Sequence, residues 1–283
     1  MIDRLRLRNA RGSLLQLALL MGLVWCAPSH AQTPSPMAEW QYSSGIALEP
    51  RFVSPPPKWE VQMGGGTGYL PKYEGSREYR FQPGPMIEVR RGDEWFFSLG
   101  EGLGYNILSE RYYRAGVAIS YDLGRNEEKY PELAGMGNIK PAPELKLFYE
   151  YVSFPAIIRI DARHAWGGHN GWLGDFSLYS PVAGNQKFFV FVGPSVTVAD
   201  STYMHHYFGV SPEQSARSGY AQYRPGGGLK DARFGATAVW FITDHWMLNT
   251  LFAMEWLLGG VKDSPIVQEQ HQYTGNLFLG YNF

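Results

Sequence analysis

The feature that most constrains this chain is a regular two-residue alternation of apolar and polar side chains. It is clearest in segment 273–283, where one face carries Tyr273, Leu277, Leu279, Tyr281 and Phe283 and the other carries Thr274, Asn276 and Asn282. A period of two is typical of a β-strand, whose side chains point alternately to opposite faces. Such a strand is half-buried in a soluble sheet or, in a membrane barrel, faces lipid on one side and the lumen on the other.

The same alternation recurs from Trp59 onward, and its charges favour a membrane barrel. Ionised groups in segments such as 113–121 and 156–163 fall on the face opposite the aliphatic residues. Aromatic residues gather near the segment ends, where a membrane barrel has its interfacial girdles. The mean hydropathy of −0.26 is compatible with this fold, because alternation hides the apolar face from an average. A soluble β-sandwich is the alternative.

The first residues predict export from the cytoplasm. Several arginines precede an apolar run and the small residues around Ala31, which predicts a cleaved signal peptide over 1–31. Cys26 leaves a lipoprotein signal as an alternative, although the bulky Trp25 precedes it. No apolar run of about 18 residues follows this segment, so the sequence excludes a helical membrane protein.

Two further parts follow the predicted signal peptide. Residues 32–58 are rich in proline and predict an extended periplasmic segment, and residues 59–283 predict the barrel. The formal net charge is −1, and no dense basic patch occurs in the sequence. Nucleic acid is therefore not expected as a partner.

The strand pattern predicts twelve antiparallel strands, with ten as the alternative because two short strands flank Gly100-Glu101-Gly102. An even number places the start of the first strand and the end of the last on the side of the short turns, with the longer loops outside the cell. The predicted strands are 59–67, 79–90, 94–100, 102–108, 111–122, 143–152, 155–165, 171–180, 187–199, 230–242, 246–258 and 272–283.

The long extracellular loop 200–229 has the sequence of a folded lid. Ser211 is a capping residue followed by proline, Gln214 occupies the capping-box position, and Gly219 offers a stop. A short helix is therefore predicted over Pro212–Ser218. The lid either gates the lumen or forms a recognition surface, or it plugs the mouth and stabilises the barrel. Its other candidate residues are Tyr203, Tyr207, Phe208, Arg217 and Tyr223.

Charged side chains are predicted to line the lumen, and both signs are mixed. A selective pore usually carries a ring of one sign, whereas a mixed set in a narrow barrel forms internal ion pairs. The alternatives are thus a structural network and a conducting path. The lining candidates are Arg114, Glu150, Arg159, Asp161, Arg163 and Glu255.

No catalytic residue, metal site or cofactor is expected. His205 and His206 are adjacent, so on a strand they would point to opposite faces. His164 and His169 flank a turn that could bring them together, but the sequence shows no carboxylate cluster beside them. No motif arranges serine and histidine for nucleophilic attack, so the protein is not expected to be an enzyme.

Several motifs in the same order resemble the MipA/OmpV family of outer-membrane proteins. The long loop carries the most specific of them, and the resemblance extends from about Trp59 to Phe283. The motifs are KYEGSREY from Lys72, GGHNG from Gly167, GPSVTVADSTYM from Gly193, the loop from Tyr203 to Gly219, TDHW from Thr243 and DSPIV from Asp263.

The resemblance implies an outer-membrane barrel that acts as a scaffold or interaction protein in murein and envelope assembly. Expected partners are outer-membrane lipid, lipopolysaccharide and the assembly machinery, together with a lytic transglycosylase and a murein synthase. Leu279, Tyr281 and Phe283 look like the signal that the assembly machinery reads, and pairing of the last strand with the first removes the open edge. The alternative function is a small-solute or ion channel gated by the 200–229 loop.

Overall fold

The computed structural model of the protein describes residues 58–283 except 111, 154 and 186. The predicted signal peptide over 1–31 and all but the last residue of the proline-rich segment 32–58 lie outside the described residues.

Twelve antiparallel strands form one closed barrel in which each strand pairs with its neighbours in sequence and β1 pairs with β12. The prediction of twelve strands is confirmed, and the short β3 and β4 are both present. The strands are β1 (Glu60–Pro71), β2 (Tyr79–Arg91), β3 (Trp95–Ser98), β4 (Gly102–Ser109), β5 (Tyr113–Asp122), β6 (Ala142–Ser153), β7 (Ala156–Ala165), β8 (Trp172–Gly184), β9 (Phe188–Ala199), β10 (Gly228–Phe241), β11 (Trp246–Leu257) and β12 (His271–Asn282).

The alternation of the sequence becomes the two faces of the barrel wall. On β12, Leu277 and Leu279 are exposed on the outside, whereas Thr274 and Asn276 are buried. The outside as a whole carries a belt of exposed aromatic and aliphatic side chains. An apolar surface of this extent is not stable in water, and a closed barrel leaves no unpaired strand edge in lipid. The wall is therefore suited to lie in a membrane.

Glycines allow the first and last strands to approach each other. Gly64 and Gly66 of β1 lie so close to the carbonyl oxygens of Leu279 and Leu277 on β12 that a Cβ atom at either position would collide. These glycines therefore permit close backbone contact at the closing seam.

Two helices lie in the long loop between β9 and β10. The predicted helix is confirmed as α2 (Pro212–Ser218), with the side chain of Ser211 accepting from Gln214 N at 3.2 Å and Gly219 at a φ of 80°. A further helix, α1 (Ser201–Phe208), was not predicted, and it carries the two adjacent histidines that were considered as strand residues. None of the helices in residues 58–283 combines the length and apolar character needed to cross a membrane.

Candidate functional site

The long-loop end of the barrel is closed by a plug, defined here as loops 72–78, 123–141, 200–227 and 258–270. Helix α1 inserts Tyr203, Met204 and Phe208 into an apolar cluster with β8, β11 and the last of these loops. A second apolar cluster joins all four loops. Its residues are Tyr73, Tyr130, Leu133, Met136, Val210 and Ile266. The lid predicted from one loop is thus one part of a four-loop structure.

Hydrogen bonds link the 200–227 loop to its neighbours in the plug. Gln214 Nε2 donates to Met136 O at 2.6 Å and Arg217 Nε to Gly135 O at 3.2 Å, so helix α2 is fixed to the 123–141 loop. Tyr223 donates its hydroxyl hydrogen to Gly260 O at 2.7 Å. The predicted lid residues therefore serve as contacts within the plug.

A buried histidine ties the plug to the barrel wall. The imidazole of His169 is fully buried, with Nε2 at 3.2 Å from Asp122 Oδ2 and 3.9 Å from Glu144 Oε1. Asp122 Oδ1 accepts from the Tyr207 hydroxyl of helix α1 at 2.6 Å. Burial raises the pKa of the Tyr207 hydroxyl well above its ordinary value, so this group stays a donor.

This cluster corrects the expectation that no carboxylate cluster joins the histidines. His164 does not take part, because its ring stacks on Trp172 with the centroids 4.5 Å apart. Although ligand atoms of Asp122, Glu144 and His169 converge within 4.8 Å, the ring is not placed as a metal ligand. His169 Nδ1 accepts from Gly171 N at 2.9 Å, so the ring proton lies on Nε2 and faces Asp122. The arrangement is a buried cluster in which Asp122 lies between His169 and the Tyr207 hydroxyl of helix α1.

A second group of charges at the mouth, called the mouth cluster, consists of Glu74, Lys230, Asp231, Arg233 and Glu255. Lys230 pairs with Glu74 and, at 2.7 Å, with Asp231. Arg233 Nη2 lies 3.0 Å from Asp231 Oδ2 and 2.5 Å from Glu255 Oε1. All five side chains are buried. Because Glu74 belongs to loop 72–78, the cluster connects the plug to β10 and β11.

Glu255 is the one residue of the mouth cluster that the sequence predicted to line the lumen. Strict alternation would point one of the neighbours Lys230 and Asp231 outward, but a β-bulge between Leu229 and Asp231 turns both inward, where neither is exposed. Arg233 lies within the regular part of β10, and the alternation there could have identified it. Glu74 lies in a loop, where periodicity gives no information.

A third group of buried charges, called the wall cluster, consists of Glu101, Arg114, Glu150, Arg159 and Asp161. Arg159 lies 3.0 Å from Glu101 and 2.9 Å from Asp161, measured between the nearest charged atoms. Arg114 lies 3.2 Å from Glu150 and 3.9 Å from Glu101. Four of these residues were lining candidates, and the structure places them against one another.

Arg163, the remaining lining candidate, connects the wall to the histidine cluster. Its guanidinium is fully buried between Asp175, at 2.6 Å, and Glu144, at 3.5 Å. The six lining candidates are therefore all buried in the barrel and all lie in ion pairs with charges of the opposite sign.

The candidate assembly residues lie at the other end of the barrel, on the outside of β12. Leu279 is exposed, and the Tyr281 ring makes edge contacts with Trp246 and Phe283 at centroid distances of 5.0 and 4.9 Å. Phe283 N donates to Val61 O at 3.0 Å, which continues the pairing of β12 with β1. Their role as an assembly signal stays a prediction.

Most of the chain matches a known protein family. Over residues 63–283 the sequence matches the family model described as MltA-interacting protein MipA. No curated protein matches the chain. Among solved structures it is similar to a NanC porin, at 8% identity and a TM-score of 0.43, with 78% of this chain and 98% of that chain covered.

Two further solved structures show a similar degree of likeness. Outer-membrane expressed OmpT of Vibrio cholerae is 9% identical, with a TM-score of 0.36 and coverage of 80% of this chain and 97% of that chain. The toluene transporter TodX of Pseudomonas putida is 8% identical, with a TM-score of 0.37 and coverage of 86% and 95%.

The family match spans the barrel from within β1 to the last residue of the sequence, and it agrees with the resemblance carried by the loop motifs. The closed ladder and the apolar outer belt agree with a membrane location. The chain belongs to the MltA-interacting protein MipA family and is an outer-membrane β-barrel.

Proposed function

We propose that this protein is a closed, non-enzymatic outer-membrane barrel that acts as a scaffold for murein-assembly enzymes on its periplasmic side. The family description, which names an interaction with MltA, supports the class of partner. The resemblance to the family adds a lytic transglycosylase and a murein synthase. The observation that carries the closed state is the mouth, where the plug lies over charges that are paired with one another.

The energetic argument for a closed barrel comes from these pairs. A solute crossing the mouth would have to displace the plug and separate buried charges such as Lys230 and Asp231, neither of which is exposed. Breaking one buried pair costs about 3–5 kcal/mol when a charge is left without its partner. A barrel that is closed in this way is expected to function at its rims.

The non-enzymatic part of the proposal is supported by the position of His169. Its ring is fully buried and makes edge contacts with Tyr203 and Tyr207 at centroid distances of 5.0 and 5.6 Å. A substrate cannot reach this ring without displacement of helix α1. The purified protein is therefore expected to release no soluble fragments from isolated murein, and release that depends on His169 would contradict the proposal.

The periplasmic rim offers a recognisable contact point for a protein partner. Trp59, just before β1, is 56% exposed, and the guanidinium of Arg91 lies 5.8 Å from its ring centroid. Tryptophan and arginine are enriched among the residues that dominate protein interfaces. The predicted proline-rich segment 32–58 directly precedes this point in the sequence, and we assign both to the partner surface.

The test is recovery of murein enzymes with the affinity-tagged protein after chemical cross-linking and membrane solubilisation. Trp59→Ala should reduce the recovered lytic transglycosylase about thirtyfold, because interface tryptophans contribute on the order of 2 kcal/mol. Trp240→Ala is the matched control, since this exposed tryptophan lies on the outer face of β10. Recovery of no murein enzyme with the wild-type protein would contradict the scaffold.

One observation favours the alternative function, a gated channel. The charged side chains of the interior extend from the mouth cluster to the wall cluster, so removal of the plug would expose a charged surface. If the barrel is a channel, deletion of Tyr203 to Tyr223 should produce discrete conductance steps in planar bilayers. If neither the wild-type protein nor the deletion variant shows conductance steps, the closed scaffold is supported.

A further inference from the structure

The geometry points to a binding groove for an outer-leaflet glycolipid on the outside of the barrel, near its extracellular end. The groove has a volume of about 660 Å³ and crosses β1, β2, β11 and β12, where the barrel closes. It faces the membrane, so it is independent of a periplasmic scaffold function. Lipopolysaccharide is the occupant whose chemistry fits both ends of the groove.

A glycine forms the floor of the groove. Gly275 of β12 pairs with Tyr69 on one side and Phe252 on the other. Neighbouring strands are about 4.8 Å apart, so the backbone positions of Tyr69 and Phe252 are roughly 10 Å apart across β12. Gly275 places no side chain between the two rings. A Cβ atom at Gly275 would have Leu251 O at 3.9 Å as its nearest contact. The gap is therefore open space that a larger side chain could fill.

Two aromatic stacks form the walls. Tyr69 stacks on Tyr79 with ring centroids 5.0 Å apart, and Phe252 stacks on Tyr273 with centroids 6.2 Å apart. Tyr69, Phe252 and Tyr273 are each close to half exposed. Aromatic faces of this kind pack against an acyl chain, and they also stack on the apolar face of a sugar ring.

The groove lies where the closing seam ends. The pairing of β1 with β12 stops at Tyr69 and Gly275, whereas β12 continues beside β11 as far as His271. Above that point Tyr273 N donates to the hydroxyl oxygen of Tyr79 at 3.1 Å. The wall is thus held by a side chain instead of a strand ladder, which leaves a recess between the two aromatic stacks.

Polar groups form the upper rim, on the side of the extracellular loops. The rim consists of Arg77, Glu269 and His271. Arg77 Nη2 donates to Gln268 O at 3.3 Å, and His271 Nδ1 lies 3.8 Å from Glu269 Oε1. A guanidinium binds phosphate through charge-assisted hydrogen bonds, and a carboxylate accepts hydrogen bonds from sugar hydroxyls.

The order of these groups matches an amphiphile of the outer leaflet. An acyl chain would lie along Gly275 between the aromatic stacks, a sugar ring would contact the tyrosines, and a phosphate would reach Arg77. A phosphorylated and acylated disaccharide carries all three groups. An ordinary phospholipid provides the chain and the phosphate but no ring for the tyrosines.

Native mass spectrometry of the detergent-solubilised full chain tests the groove, with deep-rough lipopolysaccharide titrated as the probe. Gly275→Leu should weaken binding about tenfold because it fills the floor, and Arg77→Ala should weaken it by a similar factor through loss of a charged contact. The controls are Gly65→Leu, on the outer face of β1 where a Cβ atom meets Gly84 O at 3.5 Å, and the exposed Arg224→Ala. Both should stay within twofold of wild type.

The outcomes separate the alternatives. Loss of binding in both groove variants, with a normal heat-modifiable shift on gels to confirm the fold, supports the inference. If Gly275→Leu does not fold, lipopolysaccharide binding by the surface variant Arg77→Ala is the test of the inference. Equal binding by the groove and control variants would overturn the inference, as would equal binding of phosphatidylethanolamine. It would also be overturned if the groove variants changed only a monomer–dimer ratio, because the occupant would then be a second copy.

Discussion

The wall cluster and the mouth cluster are both buried and both mix charges of opposite sign, yet they join different parts of the molecule. The wall cluster links β5, β6 and β7 to the turn between β3 and β4. The mouth cluster links β10 and β11 to loop 72–78 of the plug. One cluster therefore belongs to the barrel itself, and the other fastens a loop to it.

This difference separates two kinds of stability. Loss of a charge in the wall cluster should weaken the whole barrel, because the strands that it joins unfold together. Loss of a charge in the mouth cluster should weaken the docking of the plug and leave the strands intact, since loops open in local steps of lower free energy. Substitutions can break the two clusters separately, and the wall cluster should give the larger effect.

The largest effect is expected from the wall-cluster substitution Arg159→Met. Arg159 is the cation between Glu101 and Asp161, so its loss leaves buried carboxylates that repel each other. Removing one partner of a buried ion pair lowers the free energy of unfolding by about 4 kcal/mol. Arg159→Met should therefore unfold at a lower urea concentration than the wild-type protein. The midpoint can be measured in lipid vesicles by tryptophan fluorescence.

The control for this substitution is Arg224→Met, at an exposed arginine of the plug. It should leave the urea midpoint unchanged. A wall-cluster variant with the wild-type midpoint would show that the barrel does not depend on these pairs, and the distinction between the two clusters would fail.

The second prediction breaks the mouth cluster with Lys230→Met. The substitution removes the cation shared by Glu74 and Asp231, although Arg233 still pairs with Asp231. Docking of loop 72–78 should weaken by about 3 kcal/mol at pH 8, which raises its amide hydrogen exchange about a hundredfold. Lys262→Met, at an exposed lysine of the plug, is the matched control. A lower urea midpoint without faster exchange in the loop would contradict the assignment.

The two clusters also differ in how far the sequence predicts them. Arg114, Glu150, Arg159 and Asp161 follow the two-residue period of their strands, so alternation alone placed them in the lumen. The mouth cluster depends on a β-bulge and on a loop residue, and neither leaves a periodic signal. Ion pairing between distant strands further depends on the stagger of the barrel, which a single sequence does not specify.

The helices of the plug show the same limit. Helix α2 was predictable because Ser211, Gln214 and Gly219 form a local code for its start and end. Helix α1 has only one such signal, Asp200, whose side chain accepts from Tyr203 N at 2.8 Å. The four-loop arrangement arises from contacts between segments far apart in the sequence, which no local pattern encodes.

The third prediction concerns the effect of pH on the docking of loop 72–78. In the mouth cluster three carboxyl groups face two cations, and burial raises the pKa of Glu74 to about 7, against an ordinary value of 4.5, while Lys230 acts in the opposite direction. The docked loop therefore holds a proton that the released loop gives up between these two values. Docking should be stronger at pH 5 than at pH 8, by on the order of 2 kcal/mol.

Amide hydrogen exchange of loop 72–78, corrected for the intrinsic pH dependence of exchange, measures this effect. Glu74→Gln imitates the protonated carboxyl group and should make docking independent of pH over this range. Glu78→Gln, at an exposed position of the same loop, should keep the wild-type pH dependence. If Glu74→Gln also keeps it, another group carries the proton.

The smallest effect is expected within the plug itself, from Ser211→Ala. The substitution removes the side-chain oxygen that accepts from Gln214 N, and loss of such a cap costs about 1 kcal/mol. Exchange in 212–218 should rise several-fold, while loop 72–78 and the urea midpoint stay unchanged, because α2 contacts the 123–141 loop and neither buried cluster. Ser201→Ala is the control, since Asp200 and not this exposed serine caps α1. Faster exchange throughout the plug would mean that its four loops open as one unit, and the mouth cluster would then hold all of them.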